Sequence, residues 1–202
     1  MKNGSFARRG LIAVCAAGAA VAAVAPAASA SVYDTSACAN PQESQNFLSW
    51  KDPNWYTPIP GQNSAGFDGS GWTLGNGAQL VTAPLPDGST GQVLDLPSGA
   101  WAVSPVSCVT TDYPTARTMV RDVKGAEGVG FSVSYAGDDA WTAPKNTGQV
   151  HGKATDWTLS APVNLQPTKT TGWQAVRVVF VGLGKTSDFQ VYDAELDPRM
   201  KR

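Results

Sequence analysis

The sequence predicts an all-β protein, an antiparallel β-sandwich preceded by an extended N-terminal arm. From about Gly61 onward, Gly, Pro, Asn and Asp recur at short intervals, and turn residues spaced roughly 8–12 positions apart are typical of a sandwich. Apolar and small residues alternate over 129–135, which is the period of a half-buried strand. After residue 60 no stretch keeps a helical period without an interrupting Gly or Pro.

Residues 1–30 have the pattern of a signal peptide. Lys2, Arg8 and Arg9 give a cationic start, the run 11–25 is apolar, and small residues at 28–30 follow, as a signal peptidase requires. The apolar run is shorter than the roughly 20 residues that span a bilayer. We therefore expect a secreted protein, extracellular or associated with the cell wall, whose mature chain begins near Ser31 and has no membrane span.

The charge of the mature chain excludes some partners. Residues 1–30 hold three of the 15 Lys and Arg and none of the 16 acids, so the mature net charge is 12 − 16 = −4. A mildly acidic chain without a basic run is not expected to bind nucleic acid. The remaining 172 residues are enough for one domain with a core.

Two cysteines remain outside the predicted signal peptide, because Cys15 lies within its apolar run. In an oxidising compartment, Cys38 and Cys108 are expected to form a disulfide. On the chain-entropy model, closing a loop of this length is worth about 4 kcal/mol. The bond would tie the arm, residues 31–60, to the sandwich domain, residues 61–202. The arm is rich in proline and aromatic residues, which favours an extended segment lying against a sheet.

Eight strands can be placed from turn residues and apolar patterns. Short turns at 75–77 and 97–99 are each flanked by a strand on both sides. The segment 173–183 is apolar on both faces, so it is expected to be the most central strand. The predicted strands are 72–74, 78–82, 92–96, 100–104, 115–123, 129–135, 173–183 and 189–196.

Two segments resemble the ends of a known type of domain. The run 66–74, GFDGSGWTL, is similar to the opening of jelly-roll carbohydrate-binding domains, and the run 189–198 is similar to their final strand. Further runs, 104–109 and 113–121 together with the region around Cys38, resemble a group of secreted actinobacterial proteins whose activity is not established. The resemblance implies a jelly-roll topology for the sandwich.

The same resemblance implies a structural calcium ion, although no cofactor is expected to be required. In the carbohydrate-binding relatives an acid early in the domain and one on the last strand often help to hold calcium, and Asp68 and Asp193 match these positions. Calcium takes six to eight oxygen ligands, so backbone carbonyls and water would have to complete the site. Tyr192 stands where the relatives usually have a first Asp. The alternative is that Asp68 caps a loop and Asp193 faces solvent.

The residues needed for common catalytic sites are sparse. His151 is the only histidine and no G-x-S-x-G motif is present, so we predict an exposed loop histidine rather than a catalytic triad. Paired carboxylates are what a glycosidase needs, but most acids here stand next to turn residues, which recruit Asp for backbone hydrogen bonds. The candidates are Asp122, Glu127, Asp138, Asp139 and Asp193.

Seven tryptophans are the strongest chemical signal, because sugar rings stack on flat indole faces. Trp55, Trp141 and Trp157 stand in polar contexts, so we predict them to be partly exposed and available to a ligand. Packing is the alternative for each. The tryptophans predicted to belong to the core are Trp72, Trp101 and Trp173.

Three strand arginines are further candidate ligand-binding residues. Arg117 and Arg121 share one strand face by their spacing. If Arg177 lies on the same sheet face, the three would form a patch that binds hydroxyls or a carboxylate. Solvated positions on an open antiparallel face are the alternative.

Taken together, these features favour non-catalytic binding of a cell-wall or environmental glycan, a polysaccharide or cell-surface glycan being the expected partner. A structural or protein-interaction role at the cell surface, with the arm contacting a partner, is the second hypothesis. A carbohydrate-active hydrolase is the third.

Overall fold

A computed structural model describes residues 33–38, 41–153, 155–168 and 171–197. The predicted signal peptide lies outside these ranges. The described residues contain fifteen strands, two short 3₁₀ turns (Thr35–Cys38 and Leu48–Trp50) and no α-helix. In chain order the strands are β1 Thr57–Pro58, β2 Gln62–Asn63, β3 Gly66–Phe67, β4 Thr73–Gly75, β5 Gln79–Pro84, β6 Thr90–Pro97, β7 Trp101–Val103, β8 Ser107–Val109, β9 Thr115–Lys124, β10 Val129–Tyr135, β11 Lys145–Val150, β12 Thr158–Leu159, β13 Val163–Asn164, β14 Gln174–Gly182 and β15 Asp188–Asp197.

The strands form two stacked sheets, which confirms the predicted jelly-roll sandwich. The larger sheet, called the arm-side sheet below, has the order β12-β9-β15-β6-β3-β2, with β1 on β15, β13 on β9 and β5 on β6. The smaller one, called the open sheet, has the order β11-β10-β14-β7-β4, with β8 on β14. Neighbouring strands pair antiparallel, apart from a single parallel pair between β3 and β6.

The core fills the space between the sheets. It consists of the side chains at alternate strand positions that point inward. The open sheet contributes Phe131 and Phe180, whose rings lie 4.7 Å apart, and the arm-side sheet contributes Leu94, Leu96 and Phe189. All five side chains are inaccessible to solvent. Burying one such side chain stabilises a fold by about 1.5–3 kcal/mol, so this layer is a main source of the stability of the sandwich.

The predicted long strands are confirmed. The strand predicted at 129–135 is β10, and the segment predicted to be most central is β14, which lies in the middle of the open sheet. The turns at 75–77 and 97–99 each carry the chain from the open sheet to the arm-side sheet or back. Asn76, Gly77 and Gly99 adopt positive φ angles there, which suits Gly and Asn.

The N-terminal arm is tied to the domain as predicted. Cys38 and Cys108 form a disulfide with their Cα atoms 5.7 Å apart. Further along the arm, Phe47 and Tyr56 are buried against Met119 on the outer face of the arm-side sheet. The arm therefore covers part of that face, and its first turn, Thr35–Cys38, contacts β8 and β14 of the open sheet. No helix in the described ranges is long and apolar enough to cross a membrane.

Candidate functional site on the open sheet

The outer face of the open sheet is defined by the alternation along β14. Val176, Val178 and Phe180 point into the core, so Arg177 and Val179 point outward. Residues directly opposite each other on antiparallel strands share a face. The register therefore places further side chains on this outer face, namely Trp101 and Val103 of β7, Thr73 of β4, and Ser132 and Ser134 of β10.

Trp101 forms a flat aromatic platform on this face. Its indole lies across Gly75 of β4 so closely that a Cβ atom at Gly75 would be 2.1 Å from Trp101 Cζ2. Gly75 therefore leaves the room that the ring needs. The side chain remains 37% exposed, so the prediction that Trp101 belongs to the core is wrong. The strand was placed correctly, but the face of the strand on which Trp101 lies follows only from the pairing with β14.

Trp141 and Arg177 form a second aromatic feature on the same face. Trp141 follows β10 and bridges back to Ala136. The guanidinium carbon of Arg177 lies 4.2 Å from the centroid of the Trp141 ring, within the range of a cation–π contact. Both side chains are half-buried. The structure thus brings together two of the predicted ligand-binding residues.

A depression of about 260 Å³ adjoins Arg177 on this face. It is bordered by small and apolar residues of the neighbouring strands and loops, including Thr73, Val103, Ser104 and Pro105. Among the described residues, no side chain or carbonyl accepts a hydrogen bond from Arg177. Its guanidinium donors are therefore available to a ligand that enters the depression.

Arg117 lies on the opposite side of the molecule and has its partners within the fold. Its Nη1 atom forms a salt bridge with Asp52 of the arm, and its Nε and Nη2 atoms donate to the carbonyl of Ser160 at 2.9 and 2.6 Å. Asp52 also accepts hydrogen bonds from the hydroxyl of Tyr56 and the amide of Asn54. Arg117 therefore fixes the arm to β9.

Arg121 lies on the same strand as Arg117, β9, and contacts Trp157, which directly precedes β12. The guanidinium of Arg121 stands 5.0 Å from the Trp157 ring centroid and donates to the side-chain oxygen of Gln190. Trp157 donates from its indole N–H to the carbonyl of Pro84 at 2.9 Å. Because Arg117 and Arg121 belong to the arm-side sheet and Arg177 to the open sheet, the predicted patch of three arginines on one sheet face is wrong.

The two acids predicted to hold calcium have different surroundings. Asp68 is exposed and accepts a hydrogen bond from the Ser70 amide in its own loop. Asp193 lies at a bulge in β15 with a φ of 53° and is next to Glu195 and to Asn46 of the arm. Across the described ranges, no three or more His, Cys, Asp or Glu side chains are grouped to hold a metal ion. Calcium binding by this pair stays a prediction.

Glu195 is a buried acid that the sequence analysis missed. It is 1% exposed and accepts a hydrogen bond from Asn46 Nδ2 at 2.6 Å. Burial, together with the neighbouring Asp193 carboxyl, raises the pKa of Glu195 well above its usual range. Its position after a bulge, which places Asp193 and Glu195 next to each other, is not visible as a sequence pattern.

The arm exposes aromatic residues of its own. Leu48, Trp50 and Trp55 are 56%, 38% and 52% exposed, which agrees with the exposure predicted for Trp55. Trp50 borders a cavity of about 410 Å³ between the arm and β15.

His151 follows β11, is exposed as predicted, and contacts Gln149.

No protein-family model matches the sequence, and no curated protein matches it. Among solved structures, the chain is similar to the family 11 carbohydrate-binding module from Clostridium thermocellum in complex with a β-1,3-1,4-mixed-linked tetrasaccharide, with 12% identity over 73% of this chain and 96% of that one (TM-score 0.41). It is also similar to a family 61 carbohydrate-binding module in complex with β-1,4-galactotriose, with 15% identity over 69% of this chain and 98% of that one (TM-score 0.39).

A third similar structure is the C-terminal family 22 carbohydrate-binding module of xylanase 10B from Clostridium thermocellum, with 14% identity over 73% of this chain and 94% of that one (TM-score 0.39). The sandwich itself is established by the strand pairing of the two sheets. The ligand of this chain is argued below from its own residues. The resemblance to the actinobacterial group stays a prediction.

Proposed function

We propose that the mature chain is a secreted, non-catalytic module that binds a glycan on the outer face of the open sheet. The observation that carries the proposal is the indole of Trp101, laid flat on Gly75 and 37% exposed. Sugars bind proteins by stacking the apolar face of a ring on an aromatic side chain while their hydroxyls bond to nearby polar groups. Ser132 and Arg177 supply such groups on the same face.

The two aromatic features are spaced for a chain of sugars. Trp101 is opposite Val181, and Arg177 lies four residues earlier on β14. At a strand rise of about 3.3 Å per residue, these positions are separated by roughly 13 Å. A short oligosaccharide can therefore contact both the Trp101 platform and the guanidinium beside Trp141.

The distribution of carboxylates supports binding without catalysis. Glycoside hydrolysis needs two carboxyl groups that face each other across the scissile bond. The strand positions of the open face carry none, and Asp138 and Asp139 are exposed in the loop before Trp141. The acids that do approach each other, Asp193 and Glu195, belong to β15 of the arm-side sheet and not to the open face.

Secretion is supported by two independent features. The first is the signal-peptide pattern of residues 1–30. The second is the Cys38–Cys108 disulfide, since such bonds persist in oxidising compartments outside the cytoplasm.

Affinity electrophoresis on gels containing different polysaccharides tests the proposal. Purified residues 31–202 are expected to be retarded by at least one polysaccharide, and Trp101→Ala is expected to abolish most of that retardation. Trp55→Ala is a matched control, because Trp55 is more exposed but lies on the arm. No retardation on any gel, or equal loss in both variants, would contradict the proposal.

A protein-interaction role has one specific observation in its favour. Leu48, Trp50 and Trp55 are three exposed large hydrophobic residues within eight positions of the arm, and such groups often mark interaction surfaces. Under this alternative, replacing all three by Ser abolishes capture of a partner from culture supernatant. Glycan retardation would remain unchanged by those replacements.

A further inference from the structure

We infer that the glycan bound by the open face is acidic, with a carboxylate on its repeating sugar, and that Arg177 is the residue that binds this carboxylate. The inference rests on the proposed function, because it concerns the ligand of the same face.

Arg177 differs from the other two strand arginines in having no hydrogen-bond acceptor among the residues that the structure describes. Arg117 is bound by Asp52 and Ser160, and Arg121 is bound by Gln190. Among the described residues, Arg177 has one identified side-chain contact of this kind. Its guanidinium carbon lies 4.2 Å from the centroid of the Trp141 ring. This contact places the guanidinium over the indole ring without using its N–H groups as donors to an acceptor, so they remain available to a ligand.

Arg177 is also the one ionisable residue among the outward positions that the pairing of β4, β7, β10 and β14 assigns to this face. The others are apolar, aromatic, hydroxyl-bearing or glycine, at Thr73, Gly75, Trp101, Val103, Gly130, Ser132, Ser134, Val179 and Val181. Asp138 and Asp139 stand in the exposed loop before Trp141 and form no ion pair with Arg177. These four strands therefore present a single positive charge on this face, and it has no counter-ion among the described residues.

The surroundings favour a carboxylate over a neutral hydroxyl as the partner of this charge. A guanidinium group can donate two parallel hydrogen bonds to one carboxylate, whereas a hydroxyl accepts fewer and weaker ones. Val103 borders the depression beside Arg177, and Trp141 covers one side of the guanidinium, so water is partly excluded there. An ionic hydrogen bond is stronger in such a setting than in open water.

The mature chain has a net charge of −4, from 12 basic and 16 acidic residues. General attraction to polyanions is therefore not expected. Selectivity for an acidic glycan would have to come from the local site, which makes the inference specific to Arg177.

The test compares polysaccharides that differ only in the carboxylate. Polygalacturonate and alginate are each paired with their carboxyl-reduced forms, and binding to residues 31–202 is measured by isothermal titration calorimetry. We expect at least one acidic polymer to bind about tenfold more tightly than its reduced form, equivalent to about 1.4 kcal/mol. Raising the salt concentration is expected to shrink this difference.

Variants assign the preference to one residue. Arg177→Gln is expected to bind both members of a pair equally, at the affinity of the reduced form, because the Trp101 platform is intact. Arg177→Lys is expected to retain part of the preference, because it keeps the positive charge. If Arg177→Gln does not fold, a smaller preference in Arg177→Lys than in the wild type supports the inference, and an unchanged preference contradicts it. Arg121→Gln is the matched control on the other sheet and is expected to keep the full preference.

The outcomes separate this inference from the proposed function. Equal binding of both members of each pair, or binding to a neutral polysaccharide alone, overturns the acidic ligand while the proposed function stands. A preference that persists in Arg177→Gln overturns the role of Arg177. Equally tight binding of polyglutamate overturns the assignment of the ligand as a glycan. If no polymer binds, acidic or neutral, the proposed function fails and the inference fails with it.

Discussion

The side chain of Arg117 on β9 forms a salt bridge with Asp52 of the arm, 65 residues earlier in the chain. Both groups are mostly buried, with their side chains 17% and 8% exposed. An ion pair that is broken by removing one partner leaves the other charge buried without compensation. This pair is therefore a main attachment of the arm to the arm-side sheet, whereas the disulfide joins the arm to β8 of the open sheet.

Removing either partner of this pair is expected to destabilise the protein. We predict that Arg117→Met and Asp52→Asn each lower the free energy of unfolding by about 2–4 kcal/mol, because each leaves a buried group without its partner. Urea denaturation measures the loss, and a double-mutant cycle gives the coupling between the two sites. Lys185→Met, at an exposed position, is the control. Losses below the effect of Lys185→Met would show that the pair does not hold the arm.

The position of the Trp101 indole over β4 depends on the absence of a side chain at residue 75. Gly75→Ala is expected to push the indole off the sheet, since the new Cβ would lie 2.1 Å from Trp101 Cζ2. Overpacking of this kind costs about 1–3 kcal/mol. We expect a red-shifted tryptophan emission and weaker glycan retardation in a folded protein. Thr73→Ala on the same strand is the control, and equal emission spectra in the two variants would contradict the geometry.

Cleaving the disulfide is expected to weaken the arm selectively. In the Cys38→Ser, Cys108→Ser double variant, loss of the 70-residue link should reduce stability by up to about 4 kcal/mol on the chain-entropy model. Limited proteolysis should then cut first within residues 41–56. If cleavage begins instead within the sandwich, the disulfide supports the domain rather than the arm.

The sequence predicted the long strands well because each carries its own pattern. Alternation identified β10, and a continuous apolar run identified β14. In contrast, β11 was missed, because its residues Lys145–Val150 are mostly polar and its pairing with β10 contains a register shift. Local sequence gives no periodic signal for such an edge strand.

The candidate site was harder to predict than the fold. Trp141 and Arg177 were identified separately from sequence, but their contact depends on the fold bringing a loop to the middle of β14. Trp101 was assigned to the core because a strand position alone does not reveal which side faces the partner sheet. Arg177 was grouped with Arg117 for the same reason, since membership of a sheet is set by long-range pairing.

The stability of the protein should increase as the pH falls from about 8 to 5. Burial raises the pKa values of Asp188, Asp193, Glu195 and Asp197, that of Asp197 to about 6. The folded state then binds protons more tightly than the unfolded chain, so this contribution is fully present below the unfolded pKa near 4 and is lost as pH rises through the folded values. Melting curves in chelator measure the trend.

Asp197→Asn provides the control for this pH dependence. The variant lacks one of the raised groups, so its melting temperature should change less than that of the wild type between pH 7 and pH 5. A wild-type melting temperature that falls or stays constant on acidification would contradict the proposed protonation of the buried acids.

The calcium prediction is tested with the same assay. Calcium binding requires ionised carboxylates, so we expect added calcium to raise the melting temperature most at alkaline pH and Asp193→Asn to remove the effect. Asp68→Asn tests the other predicted ligand separately. Superimposable melting curves with calcium and with chelator would contradict the site.

NMR mapping of the glycan-binding surface is the most direct test of whether the outer face of the open sheet binds a glycan. Amide chemical shifts of residues 31–202 are recorded while a polysaccharide that retards the protein is added. We predict that the largest chemical-shift changes fall on β4, β7, β10 and β14, around Trp101 and Arg177. Changes confined to the arm or to the outer face of the arm-side sheet would contradict it.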